Sequence, residues 1–286
     1  MSDTKKMKII YLNVNGFAGQ ENKKTAKTTY YKSVAEEIRN KGTDMIFLSE
    51  INPQSEKLND NFLEEINIEK ENKGKAGKEN DDKKYVILTP SATYKKLKDI
   101  KEKATSCTIC LKKNDLKNYT NKGNGFDEKN DYLHFCKIAS ENNKEVTVLI
   151  GIHWAVGSDK QKNELDVLRT ADFILSLKRL LTFPKRVNVI LFGDTNANPD
   201  VKFDEVVNGN KLEAYINNYI FEHLMNELGF HEIVPEGKPY TFKGETRIER
   251  IFTNMPKDKV KAEVDQEFLE KKLSDHAALV ITYEEV

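Results

Sequence analysis

The sequence predicts a layered α/β domain, and three observations carry that reading. Short β-branched apolar runs recur along the chain, segments with apolar residues three and four apart lie between them, and turn or charge signals bound each run. With 38% hydrophobic and 32% charged residues, 286 residues suffice for a large core under a charged skin. One domain spanning 1–286 is expected.

The elements follow in chain order. "MKIIYLNVNG" reads as a first strand, residues 28–41 as a helix and "DMIFLSE" as a second strand. Residues 68–84 are charged and nearly free of large apolar groups, so a solvated loop insertion is expected there. "KYVILTP" and "CTICLKK" are the next strands, and the polar stretch 117–131 reads as a second long loop. "EVTVLIGIHW" is a strand, and 161–181 a helix whose Leu165, Leu168, Ala171, Phe173, Ile174, Leu177 and Leu181 form one stripe. "NVILFGD", "RIERIFTN" and "AALVITYEE" complete the strands.

Composition narrows the function. Basic and acidic residues balance at 46 each, so no global basic field announces a nucleic-acid binder, and a local patch would have to serve. No run approaches the ~18 apolar residues of a membrane span, and the start shows no apolar leader, so a cytoplasmic monomer is the expectation. Cys107 and Cys110 form a C-x-x-C, but its context is a strand, no second pair exists, and Cys136 leaves an odd count; buried structural thiols are expected.

The chemistry lies at the strand ends. Asn13 and Asn15 end the first strand, Glu50 the second, His153 the fifth, Asp194 and Asn196 the sixth, and Asp275 with His276 precede the last. Each alone reads equally well as a turn residue; strand ends pointing one way would converge them in a cleft. Carboxylate and amide oxygens suit Mg²⁺ or Mn²⁺, which neutralise phosphate charge, while a nearby acid and imidazole handle protons.

Six quoted stretches carry a resemblance. "KIIYLNVNG", "DMIFLSE", "GIHWAVGSD", "GDTNAN", "TRIERIF" and "LSDHAAL" resemble, in order, the motifs of the endonuclease/exonuclease/phosphatase superfamily, which includes DNase I, exonuclease III, sphingomyelinases and inositol-polyphosphate 5-phosphatases. The resemblance implies a four-layered α/β sandwich, two mixed sheets face to face with helices outside. It implies Glu50 as principal metal ligand with Asp275 and Asn15 assisting. Asp194 would position or deprotonate water; Asn13 and Asn196 would hold phosphate oxygens; His276 would contact the scissile phosphate, as general base or as electrostatic stabiliser, and His153 protonate the leaving oxygen. Glu249 stands where the family has Asp, the residue that orients the catalytic histidine, and its extra methylene predicts a partner for His276 that is either shifted or built on a slightly different backbone. Arg247 and Arg250 read as strand residues salt-bridged to a nearby acid, with a phosphate-facing role for Arg247 as the alternative.

The expected function is therefore a Mg²⁺-dependent phosphodiester hydrolase, with DNA as the favoured substrate. A phosphatase or phosphodiesterase for a small phosphoester or phospholipid headgroup is the alternative, and a non-catalytic phosphate-binding module the third. His153 in place of the tyrosine of AP endonucleases, and Trp154 as the only tryptophan, disfavour abasic-site specificity. No feature points to a protein partner. His134, His223 and His231 lie outside any motif.

Overall fold

Apolar β-branched runs too short for a buried helix pair laterally, and each of the apolar runs holds a strand. The computed structural model describes residues 6–17, 30–51, 56–68, 84–87, 106–127, 130–142, 145–154, 178, 187–200, 212–237 and 239–284. One six-stranded sheet contains β1 (Lys6–Asn13), β2 (Met45–Ile51), β3 (Tyr85–Ile87), β4 (Ser106–Lys112), β11 (Val260–Asp265) and β12 (Ala278–Glu284), in the order β11-β12-β1-β2-β4-β3. The other contains β5 (Tyr119–Asp127), β6 (Asn130–Asn142), β7 (Glu145–Trp154), β8 (Val187–Asp194), β9 (His231–Glu232) and β10 (Glu249–Thr253), in the order β5-β6-β7-β8-β10-β9. The described helices are α1 (Tyr31–Lys41), α2 (Glu56–Ile66), α3 (Leu212–Glu227) and the short α4 (Glu267–Glu270).

Both sheets are mixed, and in the same way. A parallel pair lies at each centre, β1 with β2 and β7 with β8, and an antiparallel strand flanks it, β12 on β1 and β10 on β8. Antiparallel pairing brings the starts of β12 and β10 level with the ends of the central strands. Six strand termini, three from each sheet, therefore share one edge of the sandwich.

The strand period of two decides what faces inward. Met7, Ile9 and Tyr11 of β1, Met45 and Phe47 of β2, and Leu279, Ile281 and Tyr283 of β12 pack against Leu149, Ile190, Phe192 and Ile251 of the second sheet. Phe192 meets Phe47 edge-on at 4.8 Å between ring centroids and Tyr11 at 6.1 Å, contacts each worth about 1 kcal/mol beyond burial. Residues of opposite parity face the helices. Ile10, Leu12, Ile46 and Leu48 pack on α1 and α2 through Val34, Ala35, Ile38, Phe62 and Ile66. Val189, Leu191 and Phe252 pack on α3 through Phe221, Leu224 and Met225. The result is a four-layered sandwich with mixed sheets at its centre, as the resemblance implied.

Three corrections concern element assignment. Residues 117–131, expected as a loop, hold β5 and the start of β6, a hairpin paired from Tyr119↔Ser140 to Asp127↔Asn130. β5 is an edge strand, and an edge strand is made by backbone pairing to one neighbour, so its polar, glycine-containing sequence hides it. Helices α2, α3 and α4, the body of β6, and strands β9 and β11 were not foreseen. The helix expected at 28–41 is α1, beginning at Tyr31. Of the loop expected at 68–84, residues 69–83 lie outside the described residues, as does the helix expected at 161–181, Lys178 apart. Cys110 is a buried free thiol within β4; the side chains of Cys107 and Cys136 lie outside the described residues. No helix among the described residues is long and apolar enough to cross a membrane.

Candidate active site

The inward parity of the core runs on into polar residues. Asn13 follows Met7, Ile9 and Tyr11; His153 follows Leu149; Asp194 follows Ile190 and Phe192; Glu249 precedes Ile251. His153, Asp194 and Glu249 form one row across the second sheet, because His153 pairs with Asp194 and Asp194 with Glu249. All four side chains are buried. A buried polar row survives only if its groups satisfy one another.

Asn13 joins the two sheets. Its Nδ2 donates to Asp194 Oδ2 (3.1 Å) and to Glu50 Oε1 (3.2 Å), and its Oδ1 accepts from the Asn15 N–H (3.1 Å). Asn15, buried, lies in a 3₁₀ turn at φ 46°, followed by Gly16 at φ 64°. Glu50 breaks the parity of its strand: after Ile46 and Leu48 it would face the helices. A β-bulge between Leu48 and Ile51, with Glu50 at φ 55°, turns the side chain into the cleft instead. There Oε1 lies 3.3 Å from His153 Nε2, which is 3.8 Å from Asp194 Oδ2.

Asp194 is held from its backbone too. Its N–H donates to the Tyr11 hydroxyl (3.0 Å), which shares a hydrogen bond with Ser49 Oγ (2.7 Å), and its Oδ1 accepts from the Asn196 N–H (2.9 Å). Asn196 stands at φ 46°, a conformation asparagine tolerates better than most residues. Gly193 makes this possible at φ 136°: a Cβ there would lie 2.1 Å from the Ile152 carbonyl oxygen. Asn198 and Asp200 are turn residues, the Asp200 N–H donating to Asn198 Oδ1 (3.1 Å).

His276 approaches from the start of β12. Its Nδ1 bonds Glu249 Oε1, its N–H donates to Ser274 Oγ (3.1 Å), and Ser274 Oγ donates to the Asn13 carbonyl (2.6 Å). The extra methylene of Glu249 therefore does not prevent the pairing; Glu249 reaches the imidazole directly, from a backbone held by Thr241 Oγ1, which accepts from the Ile248 and Glu249 N–H groups (3.0 and 3.1 Å). Burial opposes the imidazolium, but Glu249, with Asp194 and Asp275, outweighs it and lifts the His276 pKa to about 9. Burial, then the Glu249 charge, raises Asp194 to about 6 against His276, His153 and the Asn196 N–H. Burial, opposed by His276, also raises Asp275, and the Glu50 charge adds to it.

Two sets of groups are suited to a cation. Ligand atoms of Asp194, Glu249 and His276 lie within 4.8 Å of one another, but this set includes an imidazole already bonded to its own carboxylate. Glu50 and Asp275 offer oxygen alone, and Asp275 Oδ1 is buried without a hydrogen-bond partner among the described residues. That second pair fits a hard divalent ion.

Arg247 and Arg250 are spoken for. Both are buried and share Glu232, Arg247 at 2.6 Å and Arg250 at 2.8 and 2.9 Å, with Arg250 also donating to Asn218 (2.6 Å) on α3. They brace the start of β10, as the salt-bridge reading expected. His223 is exposed beside Glu227, His231 lies on β9, and His134 pairs with His153 in the β6–β7 ladder. The sequence reading missed the hydroxyls behind the row, Tyr11, Ser49, Thr241 and Ser274. Tyr11 and Ser49 carry an available signal, the inward parity shared with Asn13.

Comparison with known proteins bears on the fold. No family profile and no curated protein matches the chain. Among solved structures it is similar to an AP endonuclease from Archaeoglobus fulgidus, at TM-score 0.60 and 17% identity over 97% of this chain and 99% of that one. An AP endonuclease from Leishmania major aligns at TM-score 0.61 and 12% identity, over 98% and 88%. An endonuclease/exonuclease/phosphatase family protein from Leptotrichia buccalis aligns at 0.55 and 16%, over 98% and 100%.

Proposed function

We propose that this chain, which has the fold of the endonuclease/exonuclease/phosphatase superfamily, is a single-domain, divalent-metal-dependent phosphodiester hydrolase acting on DNA. One observation carries the reading: ends of strands from both sheets bring Asn13, Glu50, His153, Asp194, Glu249 and His276 into one hydrogen-bonded cluster. The fold likeness to the AP endonucleases supports nucleic acid as the substrate class.

The charge states suggest a division of labour. At neutral pH, Asp194 at about 6 is mainly ionised and His276 at about 9 is protonated. Asp194 then takes the proton of the attacking water, and imidazolium His276 stabilises the phosphate oxygens rather than acting as base. Glu249 keeps His276 charged and fixes its orientation. His153, between Glu50 and Asp194, is placed to supply a proton to the leaving oxygen, and Asn196 to hold a phosphate oxygen. Asn13, expected to do the same, donates its two amide hydrogens to Asp194 and Glu50 and so positions those carboxylates. Glu50 and Asp275 would hold Mg²⁺ or Mn²⁺, with Asn15 shaping the loop beside them. When bound, the ion would supply charge neutralisation at the phosphate.

The test is hydrolysis of plasmid DNA, single-stranded DNA, RNA, abasic duplex and bis-p-nitrophenyl phosphate with Mg²⁺, Mn²⁺ or EDTA. Cleavage of DNA that is lost in EDTA and in Asp194→Asn and His276→Ala is expected. Turnover of the small ester with every nucleic acid left intact would favour the small-phosphoester alternative.

A further inference from the structure

The site described so far is rich in carboxylates and meets an anionic substrate. Of the described cations outside the imidazoles, Lys243 is one that adjoins it, its N–H on the Asp275 carbonyl at 2.9 Å. Lys243 follows Phe242, whose ring lies 4.7 Å from the His276 ring, and the Lys243 Nζ lies over that same ring at 4.7 Å from its centroid. The side chain is thus laid across an aromatic face beside the catalytic imidazole, although the residue is exposed.

The backbone holds it there. Phe242 and Thr246 bridge, the Thr246 and Glu245 N–H groups donate to the Phe242 carbonyl (3.2 and 3.0 Å), and the Lys243 N–H donates to the Asp275 carbonyl (2.9 Å). Lys243 occupies φ 49° and Gly244 φ 71°. Left-handed turn positions favour Gly, Asn and Asp, so a lysine there is an unfavourable local choice. Apart from its contact with the Phe242 ring, the side chain is exposed and has no described ion pair to account for a lysine there. A locally costly cation next to reacting groups points to a ligand.

We infer that Lys243, steadied by the Phe242 ring, is a substrate-positioning residue that contacts a phosphate oxygen of the bound nucleic-acid backbone beside His276. The inference rests on the phosphodiesterase reading above and extends it. A single lysine–phosphate contact raises affinity without selecting a base sequence, and it adds one released counterion to the salt dependence.

The experiment compares wild type with Lys243→Asn, Lys243→Arg and Lys243→Gln in plasmid cleavage kinetics with Mg²⁺. Fluorescence anisotropy of a labelled duplex in a His276→Ala background runs in parallel. Lys243→Asn is the informative variant, because asparagine suits the turn and removes the charge. Expected are a KM for DNA raised about 3- to 10-fold with kcat little changed, a salt slope shallower by about 0.9, a Tm no lower than wild type, and near-complete rescue by arginine. An unchanged KM and salt slope overturns the inference, as does a loss that arginine does not rescue or that tracks a fall in Tm. Wild-type protein that neither binds nor cuts DNA sinks the function reading and this inference together, an outcome distinct from either of those.

Discussion

Asp194 and Glu249 face one another across the β8–β10 ladder, two buried carboxylates directly opposite, with His276 bonded to Glu249. Like charges opposed on a strand pair are unfavourable, so the imidazolium is what makes the arrangement tolerable. The His276 pKa is raised from 6.5 to about 9 in the folded state. A raised pKa means the folded state binds the proton more tightly, so this contribution to stability is fully present below pH 6.5 and is lost as pH rises through about 9. Thermal melts should show a Tm falling between pH 7 and 10. Glu249→Gln should flatten that dependence, and NMR should place the His276 titration nearer its ordinary value; an unmoved titration would sink the pairing.

The same two groups predict a pH–rate profile. With Asp194 as base and His276 as the protonated group, kcat/KM for DNA should rise through about pH 6 and fall through about pH 9. Glu249→Gln should move the alkaline limb downward by a unit or more, on the order of the shift expected from losing a neighbouring charge, and should also lower the acidic limb, because the Glu249 charge helps to raise Asp194. An alkaline limb that stays put in that variant would assign it to another group.

Gly193 is the position where backbone geometry most constrains the site. Its φ of 136° and the 2.1 Å from a would-be Cβ to the Ile152 carbonyl exclude any side chain without separating β8 from β7. Gly193→Ala should cost about 3 kcal/mol or more, combining strain with overpacking against backbone that cannot yield. Chemical denaturation checks this, and a loss under 1 kcal/mol, roughly the cost of an ordinary surface change, would contradict the strand geometry.

The sequence revealed the centre of the molecule better than its rim. β1, β2, β7, β8 and β12 are largely apolar on both faces because each is buried between a partner sheet and helices, and their polar termini stood out against that background. Edge strand β5 and two-residue β9 are held by backbone pairing, which leaves little side-chain pattern to read. Glu50 is a subtler case. Parity alone sends it toward α1 and α2, and only the bulge after Leu48 places it beside Asn13 and His153. Tyr11 and Lys243 passed unnoticed for opposite reasons, one reading as core and the other as surface.

Tyr11 is both core and site. Its ring packs on Phe192, and its hydroxyl accepts the Asp194 N–H and bonds Ser49. Tyr11→Phe preserves the packing and strips a buried acceptor from the Asp194 N–H, so a loss of about 1–3 kcal/mol is expected. If the hydroxyl also sets the Asp194 carboxylate, kcat should fall with KM little changed; a stability loss with wild-type kcat would confine Tyr11 to the core.

Metal dependence separates the two candidate cation sets. If Glu50 and Asp275 hold the ion, Glu50→Gln and Asp275→Asn should each raise the Mg²⁺ concentration for half-maximal cleavage by at least about tenfold, because a hard cation bound through two carboxylates loses half of its ligand charge in either change. Glu249→Gln should leave that concentration nearly unaltered and act on kcat and its pH dependence instead. Direct titration of Mn²⁺ by electron paramagnetic resonance gives the same answer without turnover. Binding weakened by Glu249→Gln and untouched by Asp275→Asn would move the ion to the Asp194, Glu249 and His276 cluster. Chelation adds a stability test: Asp275, raised by burial and by the Glu50 charge, is relieved by a bound cation, so Mg²⁺ should raise Tm and EDTA lower it.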